Sequence, residues 1–181
     1  MTISIDQMKK LLDWKTAVIE IRCFRGRGDP AHIQTFHRDD YASPSLRWHA
    51  ITAVVRTWNQ RGYNCYAVLN TIRKDFESVG NKWVNDADIV SIDWLFLDFD
   101  RKGTHKNSAT DVELAMAREL ADEVKDYMSD VGWDDPVMTC SGNGYHLYYP
   151  LQQLPANAET TEWIKRLTKT PVSYTHLRAH E

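Results

Sequence analysis

Leu95-Phe96-Leu97-Asp98-Phe99-Asp100 is an apolar run that ends in two aspartates. Residues two apart in a β-strand share a face and lie about 6.6 Å apart along it. Asp98 and Asp100 are therefore expected side by side, while Leu97 and Phe99 enter the core. Neighbouring carboxylates repel and raise each other's pKa unless a cation lies between them. Oxygen ligands of this kind suit Mg²⁺ or Mn²⁺, so both aspartates are predicted metal ligands.

A second string, Ser141-Gly142-Asn143-Gly144-Tyr145-His146, contains the Asn-Gly signal of a two-residue type I′ turn. Such a turn predicts a hairpin in which Ser141 lies opposite His146, and Thr139 lies opposite Tyr148. All four side chains would then share one face. A hydroxyl and an imidazole can donate hydrogen bonds to phosphate oxygens, and glycines let an anion approach the backbone. The predicted nucleotide-binding residues of this string are Ser141, Gly142, Asn143 and His146.

Both motifs also have a simpler interpretation. Asp98 and Asp100 would cap a strand and its following loop, and His146 would be incidental to an exposed hairpin tip. A Ser–His nucleophilic pair is a third alternative. It needs a group that orients the imidazole and an oxyanion hole, and the sequence identifies neither.

The remaining hydrophobic patterns predict an α+β domain, with an antiparallel or mixed sheet and helices on one face. The predicted order after a short first helix is β, α, β, β, α, β, β, α. A polar, irregular segment is expected over residues 26–44. Predicted strands cover 17–24, 64–70 and 90–100, a hairpin covers 137–151, and helices cover 6–14, 45–60, 108–129 and 158–168.

Composition sets further limits on the class of protein. The 181 residues are 43% hydrophobic and 26% charged, which suits one soluble domain, and the net charge of −3 does not indicate a basic nucleic-acid-binding face. No apolar stretch reaches the roughly 20 residues of a membrane helix, and no secretory signal is visible. Cys23, Cys65 and Cys140 are predicted to be buried thiols rather than disulfides or zinc ligands. We therefore expect a cytoplasmic protein without a membrane partner.

The two motifs, in this order and spacing, resemble the archaeo-eukaryotic primase superfamily, specifically the primase–polymerases of phages, plasmids and other mobile elements. In that family an apolar strand ends in Asp-x-Asp, which is matched here by Leu95 to Asp100. A Ser-x-His motif or a looser form follows, which is matched by Ser141 to His146. The resemblance covers about residues 18–169 and implies an RRM-like catalytic core.

The resemblance implies DNA-dependent nucleotidyl transfer in the replication of a mobile element. Asp98, Asp100 and His146 would be catalytic, with Mg²⁺ or Mn²⁺ on the aspartates and triphosphate contacts from Ser141 and His146. The expected partners are a DNA template and primer, NTP or dNTP, and a helicase domain or protein. Arg22 would be a further nucleotide contact. If their strands are adjacent, one open face carries Glu20, Arg22, Tyr66 and Asn70.

One departure from the family concerns its third acidic residue, which lies on a later strand beyond the helix after the histidine motif. Residues 170–181 contain no acidic strand, and their last ten residues resemble the translated adapter sequence found at broken ends of assembled genes. We therefore expect a primase–polymerase-like domain over residues 1–169 that is incomplete at the C-terminus, and a non-native tail over 170–181. Without the third acidic motif this fragment is expected to be inactive.

Two other functions are compatible with parts of the pattern. A haloacid-dehalogenase-like phosphatase also has Asp-x-Asp after an apolar strand. There the motif normally lies near the N-terminus and has Thr or Val two positions after the second aspartate, where this chain has Lys102. A non-catalytic nucleic-acid-binding module would instead stack bases on aromatic residues such as Tyr66 and Tyr148.

Overall fold

The computed structural model describes residues 5–12, 16–26, 28–77, 82–100 and 108–178, with the side chains among them described from residue 8 to residue 168. The chain divides into two compact units, an N-terminal unit (Leu12–Ile92) and a C-terminal unit (Met1–Leu11 with Asp93–Glu181). The elements in chain order are α1 (Ile5–Leu11), β1 (Val18–Phe24), β2 (His32–His37), α2 (Pro44–Gln60), β3 (Asn64–Ala67), β4 (Thr71–Ile72), β5 (Ile89–Asp100), α3 (Asp111–Asp130), β6 (Val137–Cys140), β7 (Gly144–Pro155) and α4 (Ala158–Arg178).

The N-terminal unit is built on an antiparallel sheet of order β2-β1-β3. Ile19, Ile21 and Cys23 on β1 are buried, as their alternation predicts. Helix α2 packs on β1 and β3 and begins where the Ser43 hydroxyl accepts a hydrogen bond from the Leu46 amide. In the same unit, β4 pairs antiparallel with the first residues of β5.

The C-terminal unit holds the rest of β5, which joins β7 and β6 in one sheet. Helix α3 begins with a capping box between Thr110 and Glu113, and it packs on β7 and α4. The core lies between this helix and the sheet. Its buried members are Leu95, Leu97, Phe99, Ala121, Val124, Met128, Leu147 and Tyr149.

The α+β class and the antiparallel pairing are confirmed, whereas several predicted boundaries are wrong. Residues 26–44 are not wholly irregular, because β2 lies within them and pairs with β1 along its full length. The hydrophobic pattern of β2 is weak, because Phe36 is its only fully buried residue. The strand predicted over 64–70 ends at Ala67, and β4 follows as a separate short strand.

The last helix also differs from the prediction. It begins at Ala158 as expected and continues to Arg178, into the segment predicted to be a non-native tail. The side chains of residues 169–181 lie outside the described part, as does the backbone of 179–181. In the part that is described, no helix has the length and apolar character to cross a bilayer.

The cysteines are free thiols, as predicted, although Cys65 and Cys140 are only partly buried. Cys23 and Cys65 lie directly opposite each other on β1 and β3, with their Sγ atoms 3.3 Å apart. Burial, with a smaller contribution from the Cys65 thiol, raises the pKa of Cys23 to about 12 from its usual value of 9.0.

This pKa predicts that Cys23 is unreactive in the folded protein. The thiolate is the nucleophile, so at pH 8 the folded chain should be alkylated at Cys23 roughly a thousandfold more slowly than the urea-unfolded chain. The rate in the folded protein should rise with pH up to about 12. Iodoacetamide labelling followed by peptide mass spectrometry measures both rates, and equal labelling of folded and unfolded Cys23 would contradict the prediction.

Candidate functional site

The acidic end of β5 has the geometry that its sequence predicts. Leu97 and Phe99 are 6% and 5% exposed, respectively, and pack in the core of the C-terminal unit. Asp98 and Asp100 alternate with them and are exposed on the opposite face. The two carboxylates therefore project from one face of the sheet.

The hairpin forms, but the predicted turn and register are wrong. The Ser141 amide donates to the Gly144 carbonyl over 3.0 Å, so Gly142 and Asn143 are the central turn residues. Gly142 has a φ of 93°, whereas Asn143 has no positive φ. A glycine with positive φ at the first central position is typical of a type II′ turn, not of the expected type I′. His146 consequently lies opposite Thr139, and Ser141 lies opposite Gly144.

The true register is shifted by two residues, and this even shift preserves the predicted faces. Side chains alternate with a period of two, so only an odd shift would exchange the two faces. Thr139, His146 and Tyr148 therefore share a face, as expected. The opposite face carries Leu147 and Tyr149, which belong to the core.

His146 is the residue that connects the hairpin to the acidic strand. Its Nε2 lies 3.3 Å from Oδ1 of Asp98, and its Nδ1 lies 3.1 Å from the Tyr148 hydroxyl. The Phe96 ring packs edge-on against the imidazole, with 5.1 Å between ring centroids. The imidazole side chain is 18% exposed, and the Asp98 side chain is 45% exposed. The structure thus brings His146 and Asp98 into direct contact at a face that solvent reaches.

The surroundings of this cluster raise the pKa of two of its members. Burial raises the pKa of Asp98, the charge of Asp100 raises it further, and His146 opposes both effects. The pKa of Tyr148 is also raised, mainly by burial and to a smaller extent by the charge of Asp98, with the Thr139 hydroxyl acting in the opposite direction. A divalent cation between the aspartates would relieve their repulsion.

The donor set fits a cation that is shared with a substrate. Among the residues that the structure describes, no group of three or more His, Cys, Asp and Glu side chains could hold a metal ion. Mg²⁺ commonly binds one or two carboxylates and completes its shell with waters and substrate phosphates. Asp98 and Asp100 match that mode rather than an all-protein cage.

Ser141 and Asn143 close the turn. The Ser141 hydroxyl accepts hydrogen bonds from the Asn143 and Gly144 amides, at 3.2 and 3.1 Å. The Asn143 side-chain oxygen accepts from the Ala109 amide over 3.2 Å, immediately before α3. These bonds hold the turn in shape. The phosphate contacts predicted for Ser141, Gly142 and Asn143 stay predictions.

Arg22 belongs to the N-terminal unit and has partners there. Its Nε donates to Oε1 of Glu20 over 2.6 Å, and its Nη2 donates to the Val84 carbonyl over 2.5 Å. Arg22 and Tyr66 are opposite each other on adjacent strands, as expected. Glu20, by contrast, is fully buried and accepts hydrogen bonds from the Val84 amide, so its predicted place on an open face is wrong.

Three residues of the site have roles that were not predicted from the sequence. Phe96 is 45% exposed beside His146, and its position two residues before Asp98 was a usable signal. Tyr148 holds the imidazole and is 5% exposed, so the alternative in which it stacks on nucleic-acid bases is wrong. The third is Gly144, whose backbone approaches β5 so closely that an added Cβ would overlap the Phe99 carbonyl oxygen. No sequence signal distinguished Gly144 from Gly142, the glycine at the centre of the turn.

Comparisons of the chain with protein-family models, with curated proteins and with solved structures found no match.

Proposed function

We propose that the C-terminal unit binds a nucleoside triphosphate together with Mg²⁺ or Mn²⁺, as the nucleotide-binding part of a primase–polymerase-type nucleotidyltransferase. The observation that carries this proposal is the contact between Asp98 and His146 at an exposed sheet face, with Asp100 on the same face. A triphosphate needs both a partner for its charge and hydrogen-bond donors for its oxygens. Two carboxylates that hold a cation and an adjacent imidazole supply both.

The proposed roles follow from the chemistry of each side chain. Asp98 and Asp100 would hold the cation, which supplies charge neutralisation for the phosphates. His146, whose Nε2 faces Asp98 in the structure, would donate a hydrogen bond to a phosphate oxygen. Ser141, Gly142 and Asn143 would shape the backbone around the triphosphate. Catalysis would then consist of positioning a primer hydroxyl in line with the α-phosphate.

The wider function is part of the same proposal. The partners would be a DNA template and primer, with NTP or dNTP as substrate and a helicase domain or protein beside it in the replication of a mobile element. A third acidic group would complete the metal site that the resemblance implies. Nucleotide binding, rather than polymerisation, is therefore the activity that this chain should show.

Titration of a fluorescent nucleoside triphosphate, with Mg²⁺ or with EDTA, tests the proposal through fluorescence anisotropy. We expect binding only with the metal. Asp98→Asn and Asp100→Asn should each weaken binding at least tenfold, because loss of a ligand to the shared cation removes about 1.4 kcal/mol or more. Asp130→Asn is the matched control, since it removes the same charge from an exposed position at the end of α3.

Three results would overturn the proposal. Nucleotide binding that is equal in Mg²⁺ and EDTA would exclude a shared cation. Asp98-dependent release of phosphate from a small phosphoester would favour the phosphatase. Metal-independent binding of single-stranded nucleic acid, without nucleotide binding, would favour a non-catalytic module that uses exposed aromatics such as Tyr66, which is 53% exposed.

A further inference from the structure

We infer that Cys23 and Cys65 are a redox-sensitive dithiol, which hydrogen peroxide oxidises to a disulfide between β1 and β3. The observation that carries this inference is the contact between their Sγ atoms, which lie 3.3 Å apart on residues directly opposite each other. In the structure both are free thiols, which is the reduced state of the pair. Both belong to the N-terminal unit, so the inference does not depend on the nucleotide site proposed above.

The strand pairing gives the two cysteines the spacing that a disulfide needs. Hydrogen-bonded and non-hydrogen-bonded pairs alternate along an antiparallel ladder. The Val68 amide donates to the carbonyl of Glu20, the residue opposite it, so that pair is hydrogen-bonded. The cysteine pair lies three positions further along β1 and is therefore non-hydrogen-bonded. Such pairs have Cα atoms about 4.5 Å apart, within the range of about 4.4–6.8 Å that disulfides span. The bond then needs a change of side-chain torsions and not of strand pairing.

Cys65 is the thiol that meets the oxidant first. Cys23 is 1% exposed, whereas Cys65 is partly exposed. The Cys23 thiol donates a hydrogen bond to the Cys65 sulfur, and this bond opposes the burial that raises the pKa of Cys65. Direct reaction of Cys23 with a reagent from solution is slow, because its pKa is raised to about 12 and the thiolate is the nucleophile.

The oxidation has two steps. The Cys65 thiolate attacks one oxygen of hydrogen peroxide, the O–O bond breaks, and hydroxide leaves a sulfenic acid on Cys65. The Cys23 sulfur then attacks the sulfur of this sulfenic acid, the S–O bond breaks, and the Cys23 proton leaves with the hydroxide as water. Together the two thiols lose two electrons and two protons, and the peroxide is reduced to two molecules of water. The second attack joins atoms that are already in contact, and this proximity offsets the weak acidity of Cys23.

The disulfide would change the stability of the N-terminal unit. Strand β2 and helix α2 lie between residues 23 and 65, so the bond would enclose both elements in a covalent loop. A cross-link of this kind restricts the unfolded chain more than the folded one. Oxidation should therefore lower the unfolding equilibrium constant of this unit about a hundredfold, and dithiothreitol should reverse the change.

Peptide mapping of the folded protein after peroxide treatment tests the inference, with free thiols blocked by alkylation before digestion without reductant. We expect a link between the peptides that contain Cys23 and Cys65, within one chain, and its loss after dithiothreitol. Cys140 is the matched control, because it is also partly buried but lies opposite Tyr145 and not opposite a cysteine. It should form no disulfide within the chain.

Two variants separate the roles of the two cysteines. In Cys65→Ala, Cys23 should stay reduced, because peroxide does not reach it. In Cys23→Ala, Cys65 should still be oxidised, and dimedone should trap its sulfenic acid because the second thiol is missing. Circular dichroism shows whether each variant keeps its fold, and the map of the wild type depends on neither variant.

Urea denaturation before and after peroxide measures the gain in stability. The midpoint of the wild type should move to a higher urea concentration. Cys65→Ala cannot form the link, so its midpoint should stay unchanged, and any shift that it shows measures oxidation elsewhere in the chain, such as at methionine.

Three results would overturn the inference. Oxidation of Cys65 to a sulfinic acid in the wild type, with Cys23 still reduced, would show that the pair does not close. A link that forms only in the urea-unfolded chain would show that the folded strands prevent it. Equal oxidation of Cys23 in the wild type and in Cys65→Ala would show that Cys65 does not react first.

Discussion

Replacement of Arg47 by methionine should lower the free energy of unfolding by about 3 kcal/mol or more. Arg47 is 2% exposed on α2. Its guanidinium donates to the carbonyls of Thr16 and Phe36, each over 2.6 Å, and to that of Ala17 over 3.3 Å. Methionine fills a similar volume but provides no donor, so these carbonyls would lose a charged partner in the interior of the N-terminal unit.

Urea denaturation measures this loss, and Arg56→Met is the matched control. Arg56 lies on the same helix but is exposed, so its replacement should change stability by less than about 0.5 kcal/mol. The difference between the two variants is the contribution of the buried guanidinium. Equal stability of Arg47→Met and Arg56→Met would show that these bonds do not hold the segment before β1 and the strand β2 to the helix.

Gly144→Ala should destabilise the C-terminal unit by about 3 kcal/mol. A Cβ atom at this position would overlap the Phe99 carbonyl oxygen and lie 2.8 Å from Oδ1 and 2.9 Å from Cα of Asp100. Two of these three atoms belong to the backbone of β5, so a change of rotamer does not remove the clash. Either β7 or the end of β5 must move, and Asp100 would move with it.

Thermal unfolding monitored by circular dichroism provides the measurement, and Gly26→Ala provides the control. The nearest atom to a Cβ at Gly26 is 3.8 Å away, and its backbone is not in the positive-φ region. Alanine should therefore be tolerated there with little change in stability. A Gly144→Ala protein as stable as Gly26→Ala would mean that the two strands are not in close contact. Where Gly144→Ala remains folded, its Mg²⁺-dependent nucleotide binding should also be weakened.

Local sequence determined most of the C-terminal unit. The alternation of Leu95, Leu97 and Phe99 with Asp98 and Asp100 was sufficient to predict β5, its buried face and its exposed carboxylates. Helix α3 was predicted within three residues at its start and one at its end, because its 3.6-residue periodicity involves only neighbours along the chain. The faces of the hairpin were also predicted correctly although the predicted register was wrong, because only an odd shift in register exchanges the two faces.

Features that depend on residues distant in sequence were not predictable in this way. Strand β2 has one fully buried side chain, so its pairing with β1 defines it more than its own pattern does. No sequence pattern marks Arg47 as buried, and only the packed structure shows which carbonyls surround it. The predicted turn lies one residue too far along the chain, because Asn-Gly is a strong local signal. The sequence does not show that Gly144 approaches Phe99 closely.

Local sequence is enough to predict which side chains of β5 and of the hairpin share a face, because the two-residue period of a strand is a property of the local backbone. The position of the His146 imidazole between Asp98 and Tyr148 depends instead on tertiary packing. That contact depends on the register between β5 and β7. This register is set by packing and by backbone hydrogen bonds between segments about forty-five residues apart in the sequence, which no local pattern encodes.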